Sequence, residues 1–321
     1  MINTIIDTDL HRAQQLLEAG KLVAIPTETV YGLAGNAYDE TAVLKIFQVK
    51  QRPSFDPLIV HAGSLQQIQK SVKYMSPQAL QLAERFWPGP LTLLLEKKPN
   101  IPDLVTSGLP TVGVRIPKHP STLQLLRQLD FPLAAPSANP FGYISPTTPQ
   151  HVQGQLGGKV PYILAGGPCN IGVESTIVGF EADRPVVYRL GGVSLEAIEH
   201  AIGPVKVAHQ HLPQAPGMLD SHYAPRKPLI VGALSTFITQ YENQQVGLLT
   251  FQHRHPAIAS DHQIILSPTG SLDEAAQNLF AALRTLDTWP LDVILAAPVP
   301  DTGIGRAIND RLKKASSRWA V

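Results

Sequence analysis

The sequence predicts an α/β protein in two parts, the second a smaller domain built on a doubly wound, largely parallel sheet. Three observations predict it. The 321 residues exceed one ordinary core and suit two domains of roughly 100–200 residues each. Short apolar runs alternate with helical patterns along most of the chain. Between Ala208 and Pro228 that alternation stops: three histidines, four prolines and a glycine occur there without an apolar period. This stretch reads as a linker, which divides the chain into residues 1–207, 208–228 and 229–321.

In the first part, Leu22–Ile25, Leu58–Val60, Leu91–Leu95, Val112–Ile116, Leu133–Ala135 and Ser175–Val178 read as strands. Asp39 is a suitable N-cap for a helix that carries Val43, Phe47 and Lys50 on one face, and Pro53 bars its continuation, so Lys50 sits at a helix end. In the last part, Leu229–Gly232, Val246–Phe251, Gln263–Leu266 and Asp292–Pro298 read as buried strands. Helices are expected over Leu272–Leu286 and near Arg306–Ser316.

Composition narrows the function classes. An apolar fraction of 44% with 16% charged residues describes a folded globular chain. Twenty-six basic against 25 acidic residues leave a net charge of +1, so no global field draws the molecule onto nucleic acid and any anion site must be local. Cys169 is the only cysteine, which excludes an intramolecular disulfide or a cysteine-only metal cluster, and it reads as a small half-buried hydrophobe. No secretory signal and no apolar run of about 18 residues occurs, which makes the cytoplasm the expected compartment and a membrane partner unexpected.

Five segments could carry chemistry. Pro26-Thr27-Glu28-Thr29-Val30-Tyr31-Gly32 leaves a strand with two hydroxyls, either for ligand contacts or for a turn held by threonine bonds to backbone. Lys50-Gln51-Arg52-Pro53-Ser54-Phe55-Asp56-Pro57, followed by Leu58–His61, places two cations before a proline-framed loop; they could hold phosphates, or be solvated helix-end charges. Along Thr111-Val112-Gly113-Val114-Arg115 the period of two puts Thr111, Gly113 and Arg115 on one face. No acid lies near Arg115 in sequence, so a bound anion is its expected partner unless it faces solvent. Pro136-Ser137-Ala138-Asn139, with Ser145 to Thr148, and Glu174-Ser175-Thr176, with Tyr188-Arg189, add small residues, hydroxyls and a cation.

Other signatures are missing. No P-loop string occurs, and Gly303-Ile304-Gly305 is too little for a dinucleotide fingerprint. The pairs His209/His211 and His253/His255 lack a ligand set for metal and read as loop histidines.

Taken in this order, Pro26–Gly32, Lys50–Pro53 with Pro57–His61, Val112–Arg115, Pro136–Asn139, Ser145–Thr147 and Glu174–Val178 closely resemble the YrdC-type threonylcarbamoyl-AMP synthases, over about Leu10 to Arg189. Pro216-Gly217-Met218 and His222-Tyr223-Ala224-Pro225 resemble the linker of the long, two-domain members. The resemblance implies a twisted, open mixed sheet with a basic concave cavity, plus a Rossmann-like C-terminal domain. It implies a nucleotidyltransferase that joins L-threonine, bicarbonate or CO2, and ATP with its Mg2+ into threonylcarbamoyl-AMP and pyrophosphate. A downstream threonylcarbamoyl transferase complex then acts on tRNA, which this chain serves indirectly. Thr29, His61, Arg115, Ala135 and Ser175 fall at threonine-contacting positions; Arg52, Asp56, Thr111, Ser137, Ser145, Arg189 and Tyr223 fall at ATP-contacting ones. Lys50 and Arg52 are the expected catalytic cations, and no protein ligand to a metal is expected.

Two departures stand out: Asp56 occupies a position where asparagine is usual, and Leu219-Asp220-Ser221 replaces a more basic stretch. The rival readings are an RNA-binding or regulatory module without turnover, and a related carbamoyl-transfer enzyme. The last domain shows no site of its own and is expected to place the linker so that His222-Tyr223 closes over the nucleotide.

Overall fold

The structure, a computed structural model, describes residues 2–182, 184–208 and 222–319. Residues 209–221, with His209, His211, Pro216-Gly217-Met218 and Leu219-Asp220-Ser221, lie outside the described residues.

Two sheets organise the chain. The large one contains β1 (Ile5–Asp7), β2 (Val23–Ile25), β3 (Gly32–Asn36), β4 (Ile59–His61), β5 (Leu91–Glu96), β6 (Thr111–Arg115), β7 (Leu133–Ala134), β8 (Tyr162–Leu164), β9 (Thr176–Glu181), β10 (Arg184–Arg189) and β11 (Lys206–Val207). Their spatial order is β1-β8-β2-β3-β7-β4-β6-β5-β9-β10-β11. Parallel pairs such as β4/β6 and β5/β9 alternate with antiparallel ones such as β5/β6 and β9/β10, so the sheet is mixed. The small sheet contains β12 (Leu229–Val231), β13 (Val246–Thr250), β14 (Gln263–Ile265) and β15 (Val293–Ala296), in the order β12-β15-β13-β14 with every pair parallel. The expected α/β fold with a smaller parallel sheet is what forms.

The strand period of two sorts the centre of the large sheet into two faces. Val60, Leu93, Val114, Val178 and Val187 point into the main core with Ile46, Leu82 and Ile198 from the helices. Ile59 and His61 stand opposite Gly113 and Arg115 on the other face. Gly113 leaves room there, since a Cβ would come within 3.2 Å of the Thr92 methyl and push it by a few tenths of an ångström. At the end of β10 the register slips between Val187 and Arg189, a β-bulge. The extra residue lets Tyr188 and Arg189 both lie on the face of Arg115, where unbroken alternation would have turned Arg189 away.

The helix Glu40–Lys50 starts as the sequence predicts, with Asp39 accepting from the Thr41 amide at 2.9 Å. It ends before Pro53 takes effect, because Gln51 adopts a left-handed conformation (φ 53°) that turns the chain inward. In the last part, the helix Leu272–Thr288 runs two residues beyond its expected end, and Gly305–Ser316 forms the final long helix.

The two sheets share part of their interior. Leu279, Phe280, Ile294, Ile308 and Leu312 pack in one apolar cluster with Val30, Ile144, Val173 and Tyr223, which flank the large sheet. Gly172 (φ +79°) lies against the helix Leu272–Thr288 so closely that a Cβ would meet the Ala276 carbonyl at 2.4 Å. The Gly303-Ile304-Gly305 turn likewise meets the first part: Glu196 accepts from the Gly303 amide at 3.4 Å and pairs with Arg306 at 2.9 Å. Among the described residues, no helix is long and apolar enough to cross a membrane.

Candidate active site

A cavity opens on the Arg115 face of the large sheet. Its wall brings together Thr29, Arg52, His61, Arg115, Ala135, Ser137, Ser175, Arg189 and Tyr223, nine of the positions the sequence singled out, from loops and strands spread over 194 residues of separation (29 to 223). Glu174 and His222 join them.

At the first loop the turn reading holds for Thr27, and Thr29 keeps its hydroxyl on the cavity wall. The Thr27 hydroxyl donates to the Val30 carbonyl at 2.6 Å and accepts from the Thr29 and Val30 amides, which builds the turn. The Thr29 hydroxyl is left facing the cavity, where the Arg115 Nη1 donates to it at 3.0 Å.

Neither a bound anion nor solvent, the two expected alternatives, is needed to partner Arg115. Glu28 is that partner: its Oε1 lies 2.6 Å from Arg115 Nη2, while its Oε2 accepts from the Lys118 amide and Arg115 Nε donates to the Gly89 carbonyl. The acid is distant in sequence, but the turn after β2 lies against the end of β6. A guanidinium fixed on three sides presents its remaining edge to the cavity in one orientation.

His61 sits beside it, buried, and burial together with the neighbouring Arg115 pulls its pKa down to about 3. The ring is therefore neutral. Its Nδ1 lies 3.2 Å from the Ile59 carbonyl, so Nδ1 carries the proton and Nε2 is an acceptor.

Solvated helix-end charges are ruled out for Lys50 and Arg52, which are 1% and 8% exposed. Lys50 does not line the cavity. Its ammonium donates to the Ser137 and Asn139 carbonyls, both at 2.5 Å, and so holds the Pro136–Asn139 turn from behind. Burial, reinforced by Arg52, drives its pKa well below the usual lysine range. Lys50 thus stands behind the loop, one layer from the cavity in which it was expected to stabilise phosphate charge. Arg52 does reach the wall, with Nε on the Asp56 carbonyl (3.0 Å) and Nη2 on the Pro57 carbonyl (2.8 Å).

Three further candidates stand off the wall for identifiable reasons. Asp56 is fully buried and its carboxylate lies 2.8 Å from Arg52 Nη2, so it faces the cation rather than the cavity. Burial raises its pKa, against the opposing pull of Arg52 and Lys50. The Ser145 hydroxyl donates to Glu174 Oε1 at 2.6 Å. Thr111 shares the face of Arg115 but pairs with Glu96, four residues and about 13 Å along the strand.

The far side of the wall is built by Ser175, Arg189, Tyr223 and Glu174. Arg189 donates to the Ser175 carbonyl and hydroxyl, and the Ser175 hydroxyl also meets Thr92 at 2.8 Å. Tyr223 is buried with a left-handed backbone (φ 66°), between His222 (ring centroids 4.1 Å) and Phe280 (5.5 Å, stacked). Such a conformation costs of order 1–3 kcal/mol in a non-glycine residue and is retained only where the surroundings hold it. His222 is buried as well, and burial and the nearby Arg52 push its pKa well below the ordinary value.

Two residues escaped the sequence reading. Glu28 lay inside a motif that had been valued for its threonines. Arg311 lies on the buried stripe Ala307, Ile308, Arg311, Leu312, Ala315 of the helix Gly305–Ser316, and a cation among apolar helix positions is a signal that could have been used. Arg311 is fully buried and its Nε lies 2.7 Å from Glu174 Oε2.

Comparison with known proteins agrees with this architecture. The Sua5/YciO/YrdC family, described as telomere recombination, matches residues 15–191, and the C-terminal domain of threonylcarbamoyl-AMP synthase matches residues 193–317. A threonylcarbamoyl-AMP synthase of Bacillus subtilis is 41% identical over 97% of this chain and 93% of its own, and one of Pyrococcus abyssi is 41% identical over 95% and 93%. A crystal structure of P. abyssi Sua5 complexed with L-threonine superposes with a TM-score of 0.91 at 39% identity, covering 98% of this chain and 97% of that one. Escherichia coli YciO shares the fold over 60% of this chain (TM-score 0.51, 22% identity). The chain belongs to the threonylcarbamoyl-AMP synthase family, in the two-domain form of Sua5.

Proposed function

We infer that this chain is a cytoplasmic nucleotidyltransferase that condenses L-threonine, bicarbonate or CO2, and ATP to threonylcarbamoyl-AMP and pyrophosphate. The observation that carries the reading is the wall itself: Arg52, Arg115 and Arg189 converge with neutral His61 and the hydroxyls of Thr29, Ser137 and Ser175. Among the described residues three guanidiniums stand against one wall carboxylate, which suits a polyanion held beside an amino acid. The relative that was crystallised with L-threonine supports the choice of amino acid.

The threonine is read into the end of the cavity formed by Thr29, His61, Arg115, Ala135 and Ser175. There Arg115 faces its carboxylate and His61 Nε2 accepts a hydrogen bond from its amine or hydroxyl. ATP is read onto the side of Arg52, Ser137, Arg189 and Tyr223, with Lys50 and Ser145 acting one layer behind. The threonine amine adds to CO2 and gives up its proton to water, a carbamate oxygen bonds to the α-phosphorus, and the bond to the bridging oxygen breaks so that pyrophosphate leaves with the electron pair. No enzyme nucleophile is required. Arg52 and Arg189 stabilise the charge that develops on the phosphates, and the walls hold the two reactants in line. The product, a mixed anhydride, passes to a threonylcarbamoyl transferase complex that modifies tRNA.

Mg2+ would accompany the ATP. Among the described residues no group of three His, Cys, Asp or Glu could hold a metal, and Glu28, Asp56 and Glu174 are each paired with an arginine. That donor set does not fit a resident metal site, so the ion belongs to the nucleotide.

Pyrophosphate release is the test. It should require both threonine and bicarbonate, and Arg52→Ala should lower it about 100-fold, the scale of losing one charge-stabilising donor. Release that does not need threonine would refute the reaction; an unchanged rate in Arg52→Ala would refute the role of that residue.

A further inference from the structure

Arg311 belongs to the second part of the chain, yet its guanidinium touches the first part at the open end of the antiparallel β9–β10 pair, on both strands. Its Nε donates to Glu174, the residue before Ser175, at 2.7 Å, and its Nη2 donates to the carbonyl of Leu190, the residue after Arg189, at 2.9 Å. Its remaining arm meets Asp310 at 2.5 Å, and its face lies 5.1 Å from the centre of the Tyr223 ring. Ser175, Arg189 and Tyr223 all line the cavity, as does Glu174. One side chain from the C-terminal helix thus fixes the neighbours of two wall residues and packs over a third.

Charge sharpens the point. Among the described residues, Glu174 is the single carboxylate on a wall with three arginines, and it is 7% exposed. With one oxygen on Arg311 and the other on the Ser145 hydroxyl, its charge is consumed within the protein. Without Arg311, a buried anion would stand beside the place read as the phosphate site, and it would repel ATP far more than a threonine zwitterion of zero net charge.

We propose that Arg311 is a positioning residue of the active site, supplied by the C-terminal domain, which neutralises and orients Glu174 and braces Ser175, Arg189 and Tyr223 for ATP. The inference rests on the function read above, and direct binding separates the two. Arg311→Met, checked for folding by circular dichroism and thermal melting, should raise the Kd for ATP about tenfold or more and that for L-threonine less than about threefold. Arg311→Gln, neutral but able to hydrogen-bond, should behave the same way and serves if the methionine variant does not fold. Adding Glu174→Gln to either should restore most of the ATP affinity, because the repelling charge is gone while the Ser145 hydroxyl keeps an acceptor. A merely structural arginine would weaken both ligands alike and show no rescue. Equal ATP affinity in wild type and a folded Arg311 variant, or failure of Glu174→Gln to rescue, overturns the proposal. Absence of ATP binding by the wild type overturns the function on which it rests.

Discussion

Two buried arginine–glutamate pairs border the same cavity, and they are made in different ways. Arg115–Glu28 lies within the large sheet, both partners 4% or less exposed, with the acid on the turn after β2 and the base at the end of β6. Arg311–Glu174 joins the large sheet to the last helix of the small one. Each pair puts one member on the wall, Arg115 in the first and Glu174 in the second, and Glu28 and Arg311 hold them from behind. Buried ion pairs stabilise little beyond an apolar substitute, but losing one partner strands a charge and costs about 3–5 kcal/mol. The location of each pair therefore decides what fails when it is broken: folding of the sheet in one case, and seating of one part against the other in the second.

Arg115→Met should accordingly be the most damaging change. It leaves Glu28 buried with only the Lys118 amide as a partner, and a loss of about 3–5 kcal/mol in unfolding free energy is expected. Denaturant titration reads it directly. Adding Glu28→Gln should recover much of that loss, and a double variant no better than Arg115→Met would mean that packing rather than charge sets the cost.

The seam between the two parts offers a milder cut. Gly172→Ala places a Cβ 2.4 Å from the Ala276 carbonyl in a backbone conformation (φ +79°) that disfavours side chains. The strain should cost about 2–3 kcal/mol. Because the two parts share one apolar cluster, the melting curve should remain a single transition at lower temperature. Two separated transitions would show instead that the small sheet unfolds on its own.

These pairs also show where sequence reading stops. Alternating apolar runs located the central strands of the large sheet and all four strands of the small one, since buried parallel strands read as continuous apolar segments. β1, β8 and β11 are two or three residues long and carry too little pattern, and β10 contains Pro185 and two arginines. β3 was hidden in a glycine-containing motif. Gly35 is there because a Cβ would meet Leu22 at 2.9 Å, a packing reason that no local pattern reveals. Nine of the wall residues were legible because each lies in a local motif at a strand end or loop. The partners that fix them were not, because Glu28 to Arg115 spans 87 residues and Glu174 to Arg311 spans 137. The bulge in β10 that turns Arg189 to the cavity was equally invisible, since an alternating pattern predicts the opposite face.

A third carboxylate–arginine pair is the least committed to either role. Asp56 pairs with Arg52 four residues earlier, but the Arg52 side chain also holds the Asp56 and Pro57 carbonyls, so it keeps its place without the carboxylate. Burial raises the Asp56 pKa in the folded state. A raised pKa means that the folded state holds the proton more tightly than the unfolded chain does. Its contribution to stability is then fully present below the unfolded pKa, near 4, and is lost as pH rises through the folded pKa. Asparagine cannot titrate, so Asp56→Asn should melt increasingly above the wild type as pH is raised from 4 to 8, with a final gain of about 1 kcal/mol or less. Removing a negative charge behind Arg52 should also leave ATP binding equal or slightly tighter. A melting difference that shrinks as pH rises would show that Asp56 is held ionised by Arg52 and Lys50, and would place this pair with Arg115–Glu28 as a structural necessity of the wall.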